Sequence, residues 1–242
     1  MPFPKARTVG RAWDPFCLSG QGAPPVFNLD FAKPHASALY SLMTGVNWSG
    51  FTNEDINTTV PGGLYLSHPG SVASNRALVK LLPLPTGDFE AVLTVSSVPV
   101  TNGFAGGLFL TDGVTHGAGN QHNLGCHGTS TNFQQIAVYR YTNFTTFAAT
   151  MLSERASNIS PVLARLRRIT TTYSAAFSFD GRLWSGHENF TPSGTPSHFG
   201  FGFFHTTAAA IHRVVYHSLR VFQPTMDPKA IGRWVSLNVD TR

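Results

Sequence analysis

Twelve carboxylates are the first side chains to weigh in this 242-residue chain. Paired Asp and Glu residues supply the acid and the nucleophile or base of glycoside cleavage. The best-spaced pair is Asp88 and Glu90, two apart and therefore able to share one face of a strand. Both read as a solvated strand edge. Glu54 and Asp55 are adjacent, so an extended backbone sends them to opposite sides; they suit loop charge or a cation ligand. The motifs G-x-S-x-G, Walker loop and H-E-x-x-H are absent. The expectation is a chain with no catalytic residues and no cofactor.

The stretch 111–132, TDGVTHGAGNQHNLGCHGTSTN, carries more polar chemistry than any other. It reads as a long Gly-rich loop between two strands, and loops of that length are commonly functional. Asp112, His116, Asn120, Gln121, His122, Asn123 and His127 offer amide, imidazole and carboxylate groups that exchange hydrogen bonds with hydroxyls. Tyr139 and Tyr141, just downstream, offer apolar ring faces. These nine residues are the expected ligand-binding set; an assembly contact or a flexible sandwich edge is the plainer alternative. His116, His122, Cys126 and His127 include zinc-capable groups, but their spacing matches no structural zinc module. Calcium would need more clustered carboxylates. No metal is expected.

The charge balance bounds the partners. Net charge is +5 with only 12% charged residues. The one dense basic cluster is Arg165, Arg167 and Arg168. Arg165 and Arg167 share a strand face, read as solvated, with an anionic partner as the alternative. No nucleic-acid motif accompanies the charge, so no nucleic-acid partner is expected. No apolar run approaches the ~18 residues of a membrane span, and MPFPKARTVGRAW lacks the apolar region of a signal peptide. Two cysteines, Cys17 and Cys126, leave one bridge or two free thiols open. Five N-x-S/T sequons, at Asn47, Asn57, Asn143, Asn158 and Asn189, read as chance in an Asn- and Thr-rich chain.

The positioning elements are strands. Residues 89–95, FEAVLTV, alternate Phe89, Ala91, Leu93 and Val95 against Glu90, Val92 and Thr94. A turn at Asn102-Gly103 precedes GLFLT (107–111). QQIAVYRY (134–141) sets Ile136, Val138 and Arg140 against Ala137, Tyr139 and Tyr141. VLARLRRI (162–169) pairs with 171–179, and Asp180-Gly181 signals a hairpin whose return begins at Arg182. HFGFGFFH (198–205) follows. Residues 211–222 close the domain, with Val214, Tyr216 and Ser218 set against Val215, His217, Leu219 and Val221. SALYSLM (37–43) allows one helical turn. Such spacing predicts an all-β, two-sheet antiparallel sandwich over 26–224, with an extended N-terminal arm (1–25) and a C-terminal extension (225–242). Trp13 and Trp234 lie in those arms; Trp48 and Trp184 read as core or hairpin packing.

The order of these segments resembles the concanavalin A-like lectin/glucanase superfamily, jelly-roll domains that include laminin G-like and glycosidase-appended members. The likeness rests on GDFEAVLTVSSV (87–98) with GFAGGLFLTDG (103–113), on LARLRRITTTYSAAFSFDGRLW (163–184), and on HFGFGFF (198–204) with RVVYHSLRVF (213–222). Trp48 and residues 62–66, GGLYL, resemble its early elements. The hydrolases of this scaffold carry E-x-D-x-(x)-E along a strand, which this chain lacks. The resemblance implies a fold that hosts lectins, hydrolases, adhesive modules and viral structural proteins. Three functions follow as expectations. The first is a non-catalytic module binding carbohydrate or a glycosylated surface. The second is a structural, decoration or tail protein of a phage or virus particle, joined to copies of itself or to other particle proteins through residues 1–25 and 225–242. The third is a divergent glycoside hydrolase. An extracellular or virion-associated setting fits the first two.

Overall fold

The computed structural model describes residues 25–48, 53–67, 76–98, 104–112, 121–130, 133–143, 146–156, 162–182, 184–192, 194–205 and 213–223. The expected arms, with Cys17, Trp13 and Trp234, lie outside them.

Fifteen strands and one short helix are present among the described residues. In chain order they are β1 (Phe27–Asp30), α1 (Ala36–Ser41), β2 (Thr44–Trp48), β3 (Asn53–Ile56), β4 (Leu64–Ser67) and β5 (Arg76–Pro83). Then come β6 (Phe89–Val98), β7 (Phe104–Thr111), β8 (Gln121–Ser130), β9 (Phe133–Asn143) and β10 (Thr146–Ala156). The last five are β11 (Val162–Ile169), β12 (Thr172–Ser178), β13 (Ser185–Phe190), β14 (His198–His205) and β15 (Arg213–Phe222). Sheet A runs β13-β12-β11-β6-β15-β4-β3, with β1 also paired to β15; sheet B runs β10-β9-β8-β7-β14-β5-β2. The pairings are antiparallel.

The two sheets exist because each has an apolar face that must leave water. Phe89, Ala91, Leu93 and Val95 of β6 enter the core with Val162, Ala164 and Leu166 of β11. From sheet B come Leu108, Leu110, Val138, Phe199 and Phe201. Aromatic rings tie the layers together: Phe201 of sheet B lies 4.8 Å from Tyr216 of sheet A, and Phe89 lies 5.6 Å from Phe199. The Tyr216 hydroxyl donates to the Gly202 carbonyl, satisfying a polar group deep in the core. Helix α1 is too short to persist alone. It holds because Ala36, Leu39 and Tyr40, at i, i+3 and i+4, are buried, and Tyr40 stacks on Phe201 at 6.1 Å.

Three expectations change. Residues 111–132 are not one loop: Gln121–Ser130 is a strand paired on both sides, to β7 and to β9. QHNLGCHGTS has no apolar alternation, but a strand flanked by two ladders takes its stability from backbone pairing and neighbours more than from intrinsic propensity. The simple alternation along 211–222 also fails. A β-bulge between Tyr216 and Ser218 switches parity, so Val214, Tyr216, Leu219 and Val221 all face the core. Asp180-Gly181 is part of a longer connection, since Phe177 pairs with Ser185. Only Gly181 of the two residues has positive φ, at 70°. Asp180 accepts the Arg182 N–H at 2.7 Å and Ser178 accepts that of Gly181 at 2.9 Å.

Candidate functional site

Register partners in an antiparallel ladder project to the same face. Leu108, Leu110, Phe199, Phe201 and Val138 point into the core, so Phe109, Thr111 and Tyr141 lie on the other side of sheet B, where all three are buried. One register row is His198, Thr111, Gln121 and Tyr141. The next is Gly200, Phe109, Asn123 and Tyr139. The third holds almost no side chain: Gly202, Gly107, Gly125 and Ala137. The fourth is Phe204, Ala105, His127 and Gln135. The Asn123 and His127 rows lie about 14 Å apart along the strand at ~3.4 Å per residue, and Phe109, Thr111, Gly107, Gly200 and Gly202 of these rows are buried.

Five of the nine expected ligand-binding residues, Gln121, Asn123, His127, Tyr139 and Tyr141, thus share one parity of the adjoining strands β8 and β9. His122 does not join them. It occupies the row of Leu110 and Arg140, the inward parity. Half-buried Asp112 follows Thr111 at the end of the first row, while His116 and Asn120 lie outside the described residues.

The two tyrosines differ in access. Their rings make an edge contact at 6.4 Å. Tyr141 is buried and Tyr139 half-buried, so Tyr139 is the ring with a face left to solvent. Burial raises the pKa of both phenols, with Tyr139 adding to the shift of Tyr141, so both stay neutral well past ordinary pH. Gly200 has a steric requirement. A Cβ there would sit 1.9 Å from the Lys80 carbonyl oxygen of β5.

The acidic and basic pairs singled out by spacing have structural partners. Glu90 and Arg165 do not form a solvated edge. They are 0% and 2% exposed, 3.8 Å apart, and Arg165 lies 4.5 Å from the Trp184 ring. Trp184 packs with Leu163 against Val92 and Phe222 on the outer side of sheet A, rather than in the inter-sheet core. The signal missed was Val92 on the supposedly wet face of β6. Asp88 accepts the backbone N–H of Thr170 at 2.7 Å, supporting a turn residue with φ of 54°. Arg168 donates to the carbonyls of Gly87 and Pro85. Glu54 and Asp55 fall in strand β3 rather than a loop. The Asp55 carboxylate accepts from the Thr59 hydroxyl and from the backbone of Thr58 and Thr59. Those bonds, the Thr59 hydroxyl first, hold its pKa below the usual carboxylate value. Among the described residues no three His, Cys, Asp or Glu side chains converge on a metal-sized centre.

No family profile and no curated protein sequence matches the chain. Solved structures do match. A Bacteroides ovatus protein, xyloglucan PUL GH43B, aligns with TM-score 0.58 at 13% identity, over 83% of this chain and 39% of the other. A legume lectin-like domain from Entamoeba histolytica aligns with TM-score 0.55 at 10% identity, over 84% and 99%. The exoplasmic/lumenal domain of VIP36, in a Ca2+/Man3GlcNAc-bound form, aligns with TM-score 0.54 at 14% identity, over 84% and 92%. At these identities the likeness is one of architecture: the chain is an all-β antiparallel sandwich of the kind seen in these lectin-like structures.

Proposed function

We propose that this protein is a non-catalytic carbohydrate-binding module whose ligand lies across the outward face of sheet B. The observation that supports the reading is the register that gives Gln121, Asn123 and His127 of β8 the same parity as half-buried Tyr139 of the adjoining β9. Amides and an imidazole exchange hydrogen bonds with sugar hydroxyls. A tyrosine face covers the apolar side of a pyranose ring. The lectin-like domain and the glycan-bound VIP36 domain with the same architecture support this use of it. The structural roles of Asp88 and Glu90 speak against a pair of carboxylates working as acid and nucleophile.

The test is a broad glycan array probed with wild-type chain, Asn123→Ala and Tyr139→Ala. Selective binding that both substitutions abolish, at unchanged melting temperature, is the expected result. Release of reducing ends from a bound polysaccharide would favour the hydrolase reading instead.

A further inference from the structure

Strands β1 and β4 lie end to end along the same side of β15. β1 pairs with residues 218–221 of β15 and β4 with residues 213–216. His217 falls between them, at the β-bulge, and the chain turns away after Asp30 and returns through Gly62. The interrupted ladder leaves a pocket of about 490 Å³ on the outer side of sheet A. That volume lies within the range of about 300–1,000 Å³ typical of small-molecule sites.

We infer that this gap is a second ligand site, and that it takes a neutral polyhydroxylated ligand of the sugar class. Its lining is polar: Asn28, Asp30, His217, Ser218 and Arg220, closed by Ala32 and Gly62. Asn28 and Asp30 alternate with the core residues Phe27 and Leu29, so both face outward, directly opposite Arg220 and Ser218. The bulge adds His217 beside Ser218, two consecutive residues on one side of the strand.

Each group has bonding capacity to spare. Asp30 spends Oδ1 on the Ala32 N–H at 3.0 Å, and the second oxygen remains. Arg220 Nε is buried with no hydrogen-bond partner. The Ser96 hydroxyl holds His217 by Nε2 at 2.9 Å, which orients the ring and leaves Nδ1. Ser218 donates to Thr94 at 3.2 Å and keeps its lone pairs. A simple anion entering here meets the Asp30 carboxylate, and a simple cation meets the Arg220 guanidinium. A hydroxyl both donates and accepts, so vicinal hydroxyls satisfy Asp30 and Arg220 together. The site lies on the sheet opposite the proposed sugar face and stands or falls separately from it. With both occupied, one chain bridges two glycan units.

The test is an amide-resolved NMR titration of the full chain with methyl α-glucoside, methyl α-mannoside and methyl α-galactoside in turn, and with sulfate as the anion arm. Saturable shifts at Asn28, Ala32 and Gly62 with at least one glycoside are expected. Asp30→Asn, which keeps an oxygen for the Ala32 N–H, and Arg220→Met each weaken that binding about tenfold or more, and Arg182→Ala, at an exposed residue between β12 and β13, leaves it unchanged. Shifts with sulfate alone, no shifts at these amides, or glycoside binding that survives both pocket substitutions would overturn the inference. Shifts confined to residues 121–141 would do so while leaving the sheet B reading intact; shifts confined to the pocket would do the reverse.

Discussion

Glu90 and Arg165 face each other on the outer side of sheet A, 3.8 Å apart and all but sealed from solvent. They come from strands β6 and β11, two residues off a direct pair: Val92 sits opposite Arg165, and Glu90 opposite Arg167. The diagonal reach brings the Arg165 guanidinium within 4.5 Å of the Trp184 ring. A charge desolvated to this degree persists only with a partner.

Removing one member of that pair should therefore cost more than removing both. Glu90→Leu alone strands a buried guanidinium and is expected to destabilise the chain by about 3–5 kcal/mol. Glu90→Leu with Arg165→Met restores much of the loss. Urea denaturation of the three proteins checks this; equal midpoints for the single and double variants would contradict it.

Two glycines separate crowding from backbone conformation. At Gly200 an added methyl collides with the β5 backbone, so Gly200→Ala should cost about 3 kcal/mol or fail to fold. At Gly87, φ is +74° and nothing lies within 4 Å. Gly87→Ala should cost only the left-handed penalty, about 1–2 kcal/mol. Thermal melts should rank them in that order.

Thr170 holds φ of 54° in the turn between β11 and β12, an unfavourable place for a β-branched residue. Thr170→Gly should stabilise the fold by about 1 kcal/mol. Asp88→Ala, which removes the acceptor for the Thr170 N–H, should lower the melting temperature. A lower melting temperature for Thr170→Gly would contradict this account of the turn.

Alkali probes the tyrosine pair. The pKa values of Tyr139 and Tyr141 are raised in the folded chain, chiefly by burial. Their contribution to stability is therefore complete below the ordinary phenol value of about 10 and is lost as pH rises through the folded values. Stability should begin to fall above pH ~10, and less steeply in Tyr141→Phe, as followed by ultraviolet phenolate absorbance and circular dichroism together.

The sheets were legible wherever one face alternates, as in FEAVLTV, QQIAVYRY and VLARLRRI, since period-2 burial is what those residues encode. β8 was not, because QHNLGCHGTS is held by two neighbouring ladders rather than by an apolar stripe of its own. In β15 the pattern slips between Tyr216 and Leu219, and that slip was the written sign of the bulge. For the candidate site, residue types were readable and facing was not. Asn123 and His122 are neighbours in sequence, and only the register sets one beside Phe109 and the other beside Leu110. The pocket beside His217 was hidden for the same reason, since its lining comes from segments about 190 residues apart that meet only through the β1–β15 pairing.

The most direct measurement of the central claim is an amide-resolved titration of the wild-type chain with a glycan chosen from the array. Carbohydrate recognition on sheet B predicts saturable shifts concentrated at residues 121–127 and 135–141, lost in Asn123→Ala and Tyr139→Ala. A folded chain that binds no glycan, or binds one with those residues unperturbed, would contradict it.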